Sequence, residues 1–125
     1  MKFIRGRVVT GLGEGRYYLS REGYRKQFKQ KLGFDPYPGT LNLKLSEPFC
    51  QSSEGSIEIE GFNDEGRAFG GCRCYLLMIR DVRCAAVRPE RSRYPPDLVE
   101  IIAPVNLRKA LGLYDGDTVD MVLER

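Results

Sequence analysis

Apolar and polar positions alternate along most of this chain. Leu41, Leu43 and Leu45 are interleaved with Thr40, Asn42 and Lys44. Successive side chains of a strand point to opposite faces, so this run predicts a strand from Gly39 onward, with its leucines in a core. Thr40 and Asn42 then share the other face. The same reading predicts strands over Lys2–Thr10, Arg16–Leu19, Ile57–Ile59 reaching towards Phe62, Phe69–Ile79, Val82–Val87, Leu98–Ile102 and Thr118–Leu123. Gly70-Gly71 would bend the longest of them near its start.

In two stretches the period lengthens. Tyr24, Phe28 and Leu32 recur at every fourth position, one stripe of a helix from Arg21 to Leu32. Ser20 suits its N-cap, and Gly33 suits the left-handed residue that stops it. Pro104 can open a second, shorter helix that runs to Leu111 and ends at Gly112. Gly11–Gly15, Asn63–Gly66, Arg80-Asp81 and Asp115-Gly116 are the turns, and Phe49–Gly55 and Pro89–Pro96 the longer loops. Gly11–Gly15 would make a hairpin of Val8-Val9 and Arg16–Leu19.

A short pattern occurs twice. Lys31-Leu32-Gly33-Phe34, a turn and Thr40–Leu45 are echoed by Ala110-Leu111-Gly112-Leu113, a turn and Thr118–Leu123. Each copy is a helix, a glycine stop, a turn and a strand. Two copies predict a pseudo-twofold arrangement. The expected fold is mostly β, six or more strands against two short helices, and a barrel with the helices over its ends, since closure would remove exposed strand edges.

Composition narrows the picture. The chain has 125 residues, 42% hydrophobic and 30% charged, which fits one domain over residues 1–125. No run approaches the about 18 apolar residues that span a bilayer, and Met1–Arg7 lacks the apolar stretch of a signal peptide. A cytoplasmic location without membrane contact is the expectation. The net charge of +3 suits an anionic ligand but does not demand nucleic acid. Arg21, Arg25, Lys26, Lys29 and Lys31 read as a solvated helix face, whereas Arg88, Arg91 and Arg93 could meet a ligand. There is no histidine, so any chemistry falls to carboxylates, hydroxyls, amines, guanidinium groups or a bound ion. Cys50, Cys72, Cys74 and Cys84 read as buried reduced thiols, with zinc or a disulfide as alternatives.

Three groups of residues carry candidate chemistry. Gly11, Gly13 and Gly15 exceed what a tight turn needs, and bare backbone amides beside Arg16 can surround an anion. Thr40 and Asn42 offer neutral oxygens suited to Mg²⁺, whose shell nucleotide phosphates would complete. Glu100 interrupts an apolar strand, so it is paired, at a barrel mouth or simply solvated; it could hold a substrate hydroxyl or act as a base. Asp115 and Asp117, on either side of Gly116, read as turn formers.

These segments together resemble the archaeal CTP-dependent riboflavin kinases. The likeness rests on Val9–Tyr17, Leu32-Gly33-Phe34 with Pro36-Tyr37, Gly39–Leu45, Glu100–Pro104 with Leu107-Arg108, and Asp115-Gly116-Asp117. It runs in order from near Arg5 to near Leu123, and is poor over Phe49–Arg88. The resemblance implies a closed six-stranded cradle-loop barrel like that of riboflavin synthase, with two short helices. It implies Mg²⁺-dependent transfer of the γ-phosphoryl group of CTP to the 5′-hydroxyl of riboflavin, giving FMN and CDP. Gly11, Leu12, Gly13, Glu14, Gly15 and Arg16 would surround the nucleotide phosphates. Val105, Asn106, Leu107 and Arg108 would form a second nucleotide segment, Thr40 and Asn42 would hold the metal, and Ser92 and Glu100 would contact the flavin. Threonine is common in the family where this chain has Ser92, and serine keeps the hydroxyl. Arg16 and Glu100 are then the candidate catalytic groups. Some relatives carry an added N-terminal DNA-binding domain; within these 125 residues none is expected. A monomer without a nucleic-acid partner is expected.

Two other readings stay open. One is a non-catalytic swapped-hairpin-like barrel that binds nucleic acid through the arginine clusters. The other is a flavin carrier without kinase activity. Neither uses both the glycine stretch and the Thr40/Asn42 pair.

Overall fold

The structure is a computed structural model that describes residues 3–11, 14–49, 55–90 and 94–124. Its elements are, in order, β1 (Phe3–Val9), α1 (Glu14–Leu19), α2 (Glu22–Leu32), β2 (Leu41–Leu45), β3 (Ile57–Ile59), β4 (Phe62–Asp64), β5 (Arg67–Phe69), β6 (Cys72–Ile79), β7 (Val82–Pro89), β8 (Leu98–Ile102), α3 (Leu107–Leu111) and β9 (Thr118–Leu123).

Six strands close into an antiparallel barrel, β6-β7-β8-β2-β1-β9, with β9 returning to β6 at Ile79↔Met121. Alternation decides which side chains fill it. Leu41, Leu43 and Leu45 of β2 are buried, as are Val8, Leu77, Ile101 and Met121 from the neighbouring strands. The opposite face of β6, β7 and β8 is buried as well. There Cys72, Cys74, Val87 and Ile102 meet the α2 stripe of Tyr24, Phe28 and Leu32, together with Ile59 and Phe69. Burial on both faces explains why β7 reads as a nearly continuous apolar run. Each large apolar side chain so buried contributes on the order of 2 kcal/mol.

β3 extends the sheet beside β6, and its outer edge is occupied by side chains of α2. The Gln27 amide donates to the Glu60 carbonyl at 2.9 Å and accepts from the Glu60 N–H at 2.7 Å, while Lys31 Nζ donates to the Glu58 carbonyl at 2.7 Å. An edge satisfied in this way offers no template to another strand. β4 and β5 form a separate hairpin whose Phe62 and Phe69 stack at 5.1 Å and meet Tyr24 edge-on.

Several expectations need correction. Arg16–Leu19 is no return strand: it lies in α1, so the glycine stretch connects a strand to a helix. The cause is packing. Leu19 is buried, Tyr18 lies 4.5 Å from the Tyr24 ring, and β1 takes its partner from β2 (Val9↔Asn42). Ser20 does not cap α2, which starts after Arg21 with no side-chain cap; Gly33 does end it, in the left-handed conformation at φ 81°. α3 begins at Leu107, not at Pro104, because Asn106 caps it by accepting from the Lys109 N–H at 3.2 Å. Gly70-Gly71 separates two strands where one bent strand was expected. The repeated helix–glycine–strand unit is present twice, but not as pseudo-twofold halves. β2 and β9 both run antiparallel to β1, hence in the same direction with one strand between them, and no twofold axis exchanges two such strands. Cys72, Cys74 and Cys84 are buried free thiols, as expected, and burial pushes Cys84 up to about 12. Cys50 lies outside the described residues.

Candidate active site

The candidate groups meet where β1 ends and β2 begins. Asn42 stands between Val9 of β1 and Glu100 of β8. Glu100 is 1% exposed, which excludes the solvated reading. A buried carboxylate needs donors. Thr40 Oγ1 donates to Glu100 Oε1 at 3.3 Å, and the Tyr94 hydroxyl lies 3.1 Å from the same oxygen and 3.4 Å from Asn42 Oδ1. Gly11 abuts this cluster from the other side: a Cβ on it would fall inside van der Waals contact of the Asn42 amide.

Because the Thr40 hydroxyl proton points to Glu100, its oxygen lone pairs are left for a cation. Tyr94 has one proton for two acceptors, so the Asn42 carbonyl keeps accepting capacity too. Two hard neutral oxygens backed by a buried carboxylate fit a divalent ion such as Mg²⁺ that also takes oxygens from a substrate. Among the described residues no group of three or more cysteines and carboxylates could hold a metal on its own.

A cavity of about 280 Å³ opens beside Thr40. Its wall is Arg16 of α1, the segment Tyr37–Leu41, Ile101, Ala103, and Val105–Arg108 at the start of α3. Arg16, from the first nucleotide segment read from the sequence, and Val105–Arg108, the second, therefore line one cavity. Asn106 serves both its helix and the rim, since its amide donates to the Tyr37 hydroxyl at 3.3 Å. Tyr37 is fixed again by its N–H, which donates to the Ala103 carbonyl at 2.7 Å. Arg108 pairs with Asp115 Oδ1 at 2.6 Å, and Thr10 Oγ1 donates to Asp115 Oδ2 at 3.0 Å. These bonds, that from Arg108 foremost, hold the Asp115 carboxyl below the usual carboxylate range.

The structure thus brings together Gly11, Arg16, Thr40, Asn42, Glu100, Val105, Asn106, Leu107 and Arg108. Glu14 and Gly15 open α1; Leu12, Gly13 and Ser92 lie outside the described residues, as do Arg91 and Arg93. Arg88 is not a surface group waiting for a ligand: it is buried, and its guanidinium donates to the Leu98 carbonyl. The basic stretch 21–31 is largely a solvated face, as expected. Three residues escaped the sequence reading of the site. Tyr94 sits in a loop whose fold-back has no periodic signal. Tyr37 had only its place before Pro38-Gly39. Asp115 was hidden by its second role in a turn.

Fold and site define a class: a small closed barrel with an anion-ready mouth, a neutral oxygen pair and no histidine. The relatives agree with it. The chain is 60% identical to a riboflavin kinase of Methanocella arvoryzae over 121 residues, 97% of this chain and 56% of that protein. It is 50% identical to a riboflavin kinase of Archaeoglobus fulgidus over 123 residues (94% and 53%), and 48% identical to one of Pyrobaculum islandicum over 124 residues (94% and 58%). The chain spans about half the length of these curated relatives. The family model for CTP-dependent riboflavin kinase, described as a domain of unknown function, matches residues 8–123, including the stretch 49–88 where the resemblance was poor. The chain belongs to the CTP-dependent riboflavin kinase family. No helix among the described residues is long and apolar enough to cross a membrane.

Proposed function

We propose that this domain transfers the γ-phosphoryl group of CTP to the 5′-hydroxyl of riboflavin, giving FMN and CDP. The observation that carries this reading is the single cavity in which Arg16, Thr40 and Asn106–Arg108 converge, with Glu100 buried one hydrogen bond behind Thr40. Phosphoryl transfer asks a protein mainly for alignment and charge neutralisation, which a site without histidine can provide. Arg16 and Arg108, both in the cavity wall, would neutralise nucleotide phosphates, and the backbone near Gly11 would approach them without side-chain hindrance. Thr40 and Asn42 would hold Mg²⁺, which when bound supplies positive charge at the phosphate oxygens. Glu100 draws the proton of the Thr40 hydroxyl to itself, which leaves the oxygen lone pairs for the metal, and, with Ser92, would orient the ribityl hydroxyl by accepting its proton in a hydrogen bond. Leu41, Ile101 and Ala103 make one part of the cavity wall apolar.

The test is FMN formation from riboflavin across a panel of nucleoside triphosphates with Mg²⁺. CTP is expected to be the preferred donor, and Thr40→Ala or Asn42→Ala to lower the rate about 100-fold or more while the fold persists. No FMN with CTP over a range of divalent metals and temperatures overturns the reading.

A further inference from the structure

The two aspartates of the turn before β9 divide their work. Asp117 Oδ2 accepts from the Tyr114 N–H at 2.8 Å, a local bond that makes the turn. Asp115 makes no such use of its carboxylate. One oxygen takes Arg108 and the other Thr10, which lies 105 positions away in sequence. The turn is also bound to β1 through its backbone, Gly116 N–H to the Val8 carbonyl and Val8 N–H to the Asp117 carbonyl, both at 2.8 Å. The base of the glycine stretch and the start of α3 are therefore joined through one carboxylate.

We propose that Asp115 is a positioning residue for the donor nucleotide: it holds the Arg108 guanidinium in the cavity wall and ties that wall to Thr10, one residue before Gly11. The inference rests on the reading of this cavity as the nucleotide site. Exposed ion pairs add little to stability, and the side chains of Arg108 and Asp115 are 39% and 58% exposed. What the pair fixes is orientation. A free arginine would lose rotamer freedom on meeting a phosphate, whereas one already tethered has less to lose. Arg108 has five N–H donors, so its bond to Asp115 leaves others for a ligand.

The test is a double-mutant cycle read by calorimetric titration of CDP with Mg²⁺, alongside steady-state kinetics. Asp115→Asn and Arg108→Ala are each expected to weaken CDP binding about tenfold. The double variant should bind no worse than Arg108→Ala alone, because Asp115 acts through Arg108. KM for CTP should rise, that for riboflavin should stay, and melting temperatures should barely move. Thr10→Val, which keeps shape and loses only the hydroxyl, should give a smaller loss that also vanishes beside Arg108→Ala. Losses that multiply in the double variant, or unchanged CDP affinity in Asp115→Asn, overturn the proposal. A wild-type protein that binds no cytidine nucleotide overturns instead the assignment of the cavity, so the two failures are distinct.

Discussion

Gly11 leaves no space for a methyl group, because the Asn42 amide occupies it. The constraint acts on a side chain of the proposed metal pair, while the hydrophobic core is untouched. Gly11→Ala should therefore reduce FMN formation about 10- to 100-fold, the usual cost of disturbing a neighbour of a metal ligand, with little change in melting temperature. Rates at saturating CTP and a thermal melt check this together. At this scale the sequence was most informative where a period constrained it. Thr40 and Asn42 had to share a face because Leu41, Leu43 and Leu45 had to share the other. Glu100 stood out as a charge inside an apolar strand. Tyr94 could not be found that way, since its contact with Asn42 spans 52 residues and its contact with Glu100 follows no strand or helix period.

α1 and β3 show where local pattern gives way to packing. Arg16-Tyr17-Tyr18-Leu19 has the composition of a strand, yet it forms a helix because β1 is already paired on both sides, with β2 and β9, and Tyr18 and Leu19 find burial against α2. β3 was legible from Ile57 and Ile59, but its edge protection was not: Lys31 read as part of a solvated helix face, and nothing in the pattern singled out Gln27. Removing the reciprocal bonds of Gln27 should cost about 1–2 kcal/mol. Gln27→Ala is thus expected to lower the urea midpoint and leave the rate of FMN formation unchanged, since the latch is remote from the cavity. α3 started later than expected for a related reason. Pro104 permits a helix, but Asn106 supplies the oxygen that caps one.

At the scale of the molecule, three aspartates among the described residues are held below the usual carboxylate range, each by one cationic partner. Lys44 bonds Asp97 at 2.6 Å, Arg108 bonds Asp115 at 2.6 Å with help from Thr10, and Arg5 bonds Asp120 at 2.9 Å. Their folded values lie under the unfolded value of about 4, so the contribution of these pairs is complete above that pH and is lost as pH falls through the folded values. Melting temperature should stay level from neutrality to about pH 5 and decline below about pH 4, modestly, because all three pairs reach solvent. Thermal melts across that range, at low and high salt, test it. Alternation made the barrel strands readable, but their number in the closed sheet came from the family resemblance, since runs such as Ile57–Ile59 alternate equally well outside the barrel. The relation between the barrel's halves was not readable, because a repeated sequence pattern records local structure and says nothing about the direction in which two copies will run.

Pairing of β1 with β9 sets Phe3 opposite Val122, at the pole about 20 Å along β1 from the mouth. The first and last strands are thus neighbours, far from the cavity. A short linker can join them into a circle, and the exposed Glu65-Gly66 bend can then serve as the new opening. A permuted chain of this kind would keep every contact around Thr40, Asn42 and Arg108.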